Sequence, residues 1–498
     1  MKRLLLPFVL WSEFASAGAS LSSLTPVTFD KKYVNQDVNK KEEGQRRLFD
    51  ATRKGVVTIS VTGHVIINKL INDKLWFGTG FIVDLEHGLI VTNAHVAGEI
   101  AVCTYEVKFG NGKTAEAKLA YIDPCYDFAI LAVDPKDIPD YCIALKCSKE
   151  PVTVNTTVYS MGNSANNEFS IYTGTIFDTI CTLWIKPLPE QSFQFSGLTV
   201  PGASGSPVLN EDGEVIGLLY GGKFVSGAAL PISYVTPVVS RLVNGERFKR
   251  YFCGCIFDYA SLQDVVASGA MPEDVAREYE DTFPEANNKI LVVSRKLTAY
   301  GSGSNPARPG DIVWTINGQR IGPGLKEIDR IIHESSGKDI VVEVYRDGNK
   351  IEYTLPVYEL SVNAKFKLFS FAGTTFFEPT NELKINTGKS TNGVYFTDSE
   401  LGSPFYEIMS KTNNKSAQDL VQVTSIDGQK ISSIDDFVSI VSKLLKKKVF
   451  TVYFIRVGGD AQESSMIVKH NPEFANAVLH EFNQDERKWQ IKEIKNDG

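Results

Sequence analysis

The segment Pro201-Gly202-Ala203-Ser204-Gly205-Ser206-Pro207 sets a serine among small residues, directly before the apolar pair Val208-Leu209. Glycines let a backbone fold tightly enough to lift one hydroxyl and aim neighbouring N–H groups at a single point. That arrangement suits a nucleophile with an oxyanion hole, although an ordinary Gly/Ser-rich turn has the same composition. Two upstream segments change the balance. Gly88-Leu-Ile-Val-Thr-Asn-Ala-His95-Val96 reads as a buried strand ending in a histidine, and Tyr126-Asp127-Phe-Ala-Ile-Leu-Ala-Val133 as an aspartate entering another. A serine hydroxyl needs a base to take its proton, and the base needs a carboxylate to fix its tautomer. His95, Asp127 and Ser204 are therefore the candidate catalytic residues. The backbone N–H groups of Gly202 and Ser204 are the candidate oxyanion donors. His64, His87, His333, His470 and His480 lack an aspartate and a serine in matching strand contexts. Asp123 and Asp134 each stand before a proline, where turn chemistry suffices to explain them. Ser206 is the alternative nucleophile.

The chain order His95, Asp127, Ser204 is that of chymotrypsin-type double β-barrels, not of subtilisins or α/β-hydrolases. Ser206 also occupies the place of the last glycine in a G-x-S-x-G elbow, which argues further against the hydrolase fold. Five ordered segments carry a resemblance: Gly78-Thr-Gly-Phe-Ile-Val83, Val91-Thr-Asn-Ala-His-Val96, Asp127-Phe-Ala-Ile-Leu131, Ala203-Ser-Gly-Ser-Pro-Val208 and Gly213-Glu-Val-Ile-Gly-Leu218. Over roughly residues 45 to 470 the chain resembles the HtrA/Deg family of trypsin-like serine proteases. The family pattern G-N-S-G-G-P reads here Gly202-Ala203-Ser204-Gly205-Ser206-Pro207, so Ala203 replaces Asn and Ser206 replaces the second Gly. Neither departure touches the nucleophile, and both concern how the oxyanion loop is held.

The resemblance implies a serine endopeptidase that degrades misfolded or unfolded proteins, with no cofactor and no metal. Leu218, Tyr220 and Gly221 would line the pocket for the residue before the scissile bond. That pocket favours small aliphatic side chains, and Tyr220 narrows it. The family assembles as trimers or larger oligomers, for which Phe29, Tyr33 and Phe49 offer aromatic contacts or ordinary packing. Two other readings belong to different classes. One is a chaperone or scaffold with minor proteolysis. The other is a regulatory protease that cuts one sensor after a C-terminal peptide docks.

Composition agrees with a large exported enzyme. The 498 residues correspond to about three domains. A net charge of −7 and the lack of a basic stripe argue against nucleic acid as a partner. Lys2 and Arg3, the apolar run Leu4 to Trp11, and Ala15-Ser16-Ala17 read as a cleavable signal peptide, hence periplasmic or otherwise exported. Eight apolar residues are too few to span a bilayer, so no stable membrane insertion is expected. The seven cysteines, Cys103, Cys125, Cys142, Cys147, Cys181, Cys253 and Cys255, lack zinc-like spacing. They are expected to be mostly buried free thiols, with one disulfide in the protease half as the next possibility.

The expected class is mainly β: a chymotrypsin-like double β-barrel followed by two PDZ-like α+β domains. The signal covers 1–17 and an N-terminal arm 18–54, with a short helix expected over 41–53. Short apolar runs separated by turns over 55–245 read as the protease domain. A repeat follows, in which Ile316-Asn317-Gly318-Gln319-Arg320-Ile321 recurs as Ile426-Asp427-Gly428-Gln429-Lys430-Ile431. Asn-Gly and Asp-Gly between apolar runs are hairpin signals. Each copy precedes an amphipathic helix: Leu325, Ile328 and Ile332 share one face, and Ile434, Phe437, Val438, Val441 and Leu445 the other's, after a Ser432…Asp435 capping pair. Arg308-Pro-Gly-Asp-Ile-Val313 resembles the PDZ signature of this family. The copies are set at 250–360 and 361–475, and 476–498 as a frayed polar tail. A PDZ domain adds an extended C-terminal peptide as a strand. Its carboxylate loop would include Gly254, Cys255 and Ile256 in the first copy and Gly373 and Thr374 in the second. Each loop is otherwise a strand with a glycine bulge.

Overall fold

The computed structural model describes residues 43–495 apart from 67–74, 99–100, 165–166, 184–187, 189, 198–200, 224, 298–304, 361–366, 380–392, 398, 407, 409–419, 446, 458–461, 470–475 and 484. The segment expected as a signal peptide, most of the expected arm, Phe29 and Tyr33 lie outside the described residues. The chain divides into two units, Met1–Leu48 and Phe49–Gly498, and the second carries the architecture below. Residues 43–52 are helical. The Phe49 ring is used within the chain, edge-on to Tyr159 with centroids 5.4 Å apart.

Two closed six-stranded antiparallel barrels form first. One contains β1 (Val56–Ile66), β2 (Leu75–Asp84), β3 (Leu89–Thr92), β4 (Ala101–Lys108), β5 (Thr114–Ile122) and β6 (Ala129–Val133), in the order β1-β2-β3-β6-β5-β4. Its sequence shows why. Along β5, Thr114 to Lys118 alternate outside and inside, while the four residues of β3 are all buried. Val57, Ile59, Ile82, Ile90, Leu131 and Val107 fill the interior. The second barrel contains β7 (Thr157–Ser164), β8 (Asn167–Leu183), β9 (Glu190–Ser196), β10 (Pro207–Leu209), β11 (Val215–Lys223) and β12 (Ser226–Pro231). Phe193, Phe195, Ile176 and Val208 form its core.

The two repeats follow. The first has β13 (Arg250–Phe252), β14 (Cys255–Ser261), β15 (Lys289–Lys296), β16 (Ile312–Ile316), β17 (Gln319–Arg320), the helix Leu325–Glu334, β18 (Ile340–Arg346), β19 (Asn349–Leu355) and β20 (Tyr358–Leu360). The second has β21 (Lys367–Phe371), β22 (Thr374–Phe377), β23 (Val394–Phe396), β24 (Leu420–Ile426), β25 (Gln429–Lys430), the helix Ile434–Leu444, β26 (Val449–Val457) and β27 (Glu463–Lys469). The repeated hairpins turn as their dipeptides predict. Asn317 and Gly318 have φ of 50° and 76°, and Asp427 and Gly428 have 48° and 77°. Two consecutive left-handed residues are the signature of a type I′ turn. The second helix is capped one residue later than expected: Ser433 and Asp436, not Ser432 and Asp435, exchange the capping-box bonds.

The segment expected to fray folds instead. β28 (Ala477–Asn483) and β29 (Lys488–Glu493) form a hairpin, and β28 pairs with β21. Ala477 and Phe482 are buried, and Phe482 packs edge-on to Trp489 at 5.4 Å. Polar residues dominate the composition here, but the apolar run Ala477-Val478-Leu479 starts a strand that finds the free edge of β21 to join. All seven cysteines are free thiols, five of them buried. No helix among the described residues is long and apolar enough to cross a membrane.

Candidate active site

β3 and β6 are antiparallel neighbours, with Leu89 opposite Ala132 and Thr92 opposite Ala129. The end of one therefore lies beside the start of the other. His95 follows β3 and Asp127 precedes β6, so barrel register alone brings them to one rim. Asp127 is fully buried. Its Oδ2 lies 2.7 Å from His95 Nδ1, and its Oδ1 accepts the His95 backbone N–H at 3.0 Å. Asn93 Nδ2 donates to the Asp127 carbonyl at 2.8 Å, fixing the backbone beneath. A carboxylate on Nδ1 holds the proton there and leaves Nε2 as the basic nitrogen.

Ser204 comes from the other barrel, on the loop before β10. The Thr79 N–H, on β2, donates to the Ser204 carbonyl at 2.8 Å and ties the loop across. Only glycine fits at 205: its φ is +89°, and a Cβ would stand 1.8 Å from the Thr79 carbonyl oxygen. The Ser204 hydroxyl donates to the Tyr220 carbonyl at 3.4 Å. The N–H groups of Gly202 and Ser204, the expected oxyanion donors, have no hydrogen-bond partner among the described residues. Ser206, the alternative nucleophile, is fully buried and its hydroxyl donates to the Ala203 carbonyl at 2.6 Å. It offers no surface for attack. The structure joins His95 to Asp127 directly and ties the Ser204 loop to the same barrel through Thr79, with the Ser204 hydroxyl turned to the Tyr220 carbonyl.

The pocket residues separate. Tyr220 is the bulged residue of β11 between Leu219 and Gly221. It is buried, and its hydroxyl bonds the Ser192 hydroxyl on β9. Gly221 faces open space. Leu218 is fully buried between Pro207 and Leu230 and belongs to barrel packing rather than to an open wall.

The two repeat loops also separate. In the first, β14 is the edge strand of its sheet, paired only with β15. Gly254 has φ +74° and leads into it. Cys255 and Ile256 line a small groove with Leu325, Ile328 and Ile332, and Tyr126 and Leu188 of the barrels close one side. In the second, β22 is paired on both edges, to β21 and to β23. Ala372 and Gly373, with φ of 50° and 70°, make a hairpin turn. Thr374 bonds Ser399 and Ser403 and is buried. Gly373 and Thr374 therefore sit in a closed turn that offers no strand edge to a peptide.

One participant has no signal in the sequence. Arg250, 2% exposed, lies between Asp123 and Asp329. The Asp123 carboxylate in turn accepts the N–H groups of Cys125 and Tyr126 at 2.8 and 2.9 Å and the Tyr121 hydroxyl at 2.7 Å. Asp123 does have the turn role expected of it, and it also holds the loop that carries Asp127. Tyr126 donates to Asp329 at 2.8 Å, so this loop is tied directly to the first repeat's helix. Long-range charge pairing of this kind leaves no local pattern to read.

Residues 78–218 match the trypsin-like peptidase domain. The pro-apoptotic serine protease NMA111 of Debaryomyces hansenii is 26% identical over 427 residues, covering 83% of this chain and 42% of that protein. The protein of that name from Pyricularia oryzae is 28% identical over 384 residues, covering 74% and 35%. The chain thus spans less than half the length of these curated relatives. Among solved structures, the HtrA-type protease AlgW with tripeptide is 21% identical, with a TM-score of 0.48, covering 64% of this chain and 97% of that one. A serine endoprotease from Yersinia pestis is 20% identical, with a TM-score of 0.42, covering 64% and 98%.

Proposed function

We propose, from the premise that this chain is a trypsin-like serine protease of the HtrA/Deg family, that it is an endopeptidase for misfolded or unfolded proteins. The observation that carries the reading is the 2.7 Å contact of His95 with a fully buried Asp127, on the barrel to which Thr79 ties the Ser204 loop. Before reaction the Ser204 hydroxyl turns from the Tyr220 carbonyl to His95. Nε2 takes its proton as Oγ attacks the scissile carbonyl, and Asp127 stabilises the imidazolium. The Gly202 and Ser204 N–H groups receive the oxyanion, each such donor being worth about 3 kcal/mol of barrier. His95 then gives the proton to the leaving amine. Water, deprotonated by the same ring, releases the acyl group.

The first repeat takes an extended C-terminal segment of the client along the free edge of β14. Export through residues 1–17 and assembly into trimers or larger oligomers belong to the same proposal. They rest on the sequence and the family resemblance. Cell fractionation and analytical ultracentrifugation test them. For the chemistry, a fluorophosphonate probe labels the wild-type chain and leaves Ser204→Ala unlabelled. Labelling or casein cleavage retained by Ser204→Ala refutes the assignment.

A further inference from the structure

The residue before the nucleophile has no polar side-chain group to brace the oxyanion loop, since position 203 is alanine. The loop is nonetheless held at three successive carbonyls. The Thr79 hydroxyl donates to the Gly202 oxygen at 2.9 Å. The Ser206 hydroxyl donates to the Ala203 oxygen at 2.6 Å, joined there by the Ser206 N–H at 3.0 Å. The Thr79 N–H donates to the Ser204 oxygen at 2.8 Å. Thr79 and Ser206 are both fully buried. The Thr79 hydroxyl is held from both sides, because it also accepts the Asn163 N–H at 2.9 Å. Space has been made for the second hydroxyl: a Cβ on Gly162 would stand 1.9 Å from Ser206 Oγ.

A trans peptide is planar, with its N–H pointing opposite its carbonyl. Drawing the Ala203 oxygen inward therefore turns the Ser204 N–H outward, toward the place where a tetrahedral oxygen would develop. Two hydrogen bonds to that oxygen also polarise the peptide and strengthen its N–H as a donor. Gly202, at φ +92°, is the residue about which the loop could most easily flip, and Thr79 ties down its carbonyl.

We propose that Ser206 and Thr79 are positioning residues for the oxyanion hole, Ser206 by aiming and polarising the Ser204 N–H through the Ala203 carbonyl, and Thr79 by locking the Gly202 carbonyl. This rests on the serine-protease reading above.

The test compares wild type, Ser206→Ala, Thr79→Val and Thr79→Ser on one peptide substrate and one peptide boronate, with Tm for each. The boronate forms a tetrahedral adduct on Ser204 and so reads the oxyanion hole directly. Ser206→Ala is expected to lose roughly tenfold or more in kcat with KM nearly unchanged, and boronate affinity falls in parallel. Thr79→Val loses similarly, and Thr79→Ser, which keeps the hydroxyl, restores most of it. A Ser206→Ala protein with wild-type kcat and boronate affinity overturns the proposal. So does a Thr79→Ser protein as impaired as Thr79→Val, since packing rather than the hydroxyl would then matter. A wild-type chain that neither cleaves peptide nor binds boronate would instead fail the serine-protease reading, and this proposal with it.

Discussion

The two repeats share a hairpin and a helix, yet they are built into the molecule differently. The first leaves β14 at a sheet edge and anchors to the barrels through Arg250, Asp123, Asp329 and Tyr126. The second pairs β22 on both sides and extends its sheet through β21 into the β28–β29 hairpin. The groove beside the second helix is filled from within. Phe437 meets Phe369, Phe371 and Phe376 edge-on at 5.4, 6.4 and 4.6 Å. Edge-to-face packing of this kind makes a stable core and leaves no slot for a guest. The same motif thus serves as a candidate peptide receiver in one place and as a structural block in the other. What separates them is which strand edges the rest of the chain occupies.

The largest effect that would break this contrast is at Arg250. Arg250→Met leaves two carboxylates facing each other without their cation, and loss of one partner from a buried pair costs about 3–5 kcal/mol. Denaturant unfolding measures it. Cleavage activity is expected to fall with it, because Asp123 orders the loop that carries Asp127. Unchanged activity would mean that the first repeat's anchor is only structural. Next, Phe437→Ala opens a cavity in the second repeat and is expected to cost about 3 kcal/mol. Peptide binding and kcat should stay as they are, since that repeat is closed. A loss of peptide binding would return it to a receiving role.

A smaller effect sharpens the contrast from the other side. Leu188 lines the first groove and is buried there. Leu188→Ala frees that space, and a labelled peptide with an aliphatic C-terminus is expected to bind up to about tenfold tighter, ~1.4 kcal/mol. Weaker binding would show that Leu188 supports the groove rather than fills it.

The smallest effect is acid sensitivity. Burial, and then the positive charge of Arg250, hold His333 below its ordinary value of 6.5. Burial does the same to His480 on β28. Both folded-state values are depressed, so each contributes stability that is present above about pH 6.5 and is lost as pH falls through the folded-state value. Unfolding followed from pH 7.5 to 5 should show both repeats weakening. His333→Phe should flatten the fall for the first repeat alone.

Much of the site was legible because its signals are local. The apolar run before His95, the one after Asp127 and the small residues around Ser204 each describe a strand or turn by themselves. Asn317-Gly318 and Asp427-Gly428 likewise encode their own turn geometry. Leu218 misled because an apolar residue in a pocket-lining strand alternates between wall and core, and the period alone does not say which. Residues 476–498 misled because average polarity hid a short strand that places Ala477 and Leu479 on one face and Phe482 on the other.

By itself, the amino-acid order determined the candidate trio, the sense of the chain between them, the β class and the repeated hairpins. Each of these depends on residues close together or on a periodicity of a few positions. Only the tertiary structure decided that Thr79 and Ser206 grip the oxyanion loop, that Arg250 joins two carboxylates more than two hundred residues apart in sequence, and that one repeat keeps an edge the other gives up. Hydrogen bonds and ion pairs between distant segments are selected by how whole sheets stack, and nothing in a short window of sequence encodes that choice.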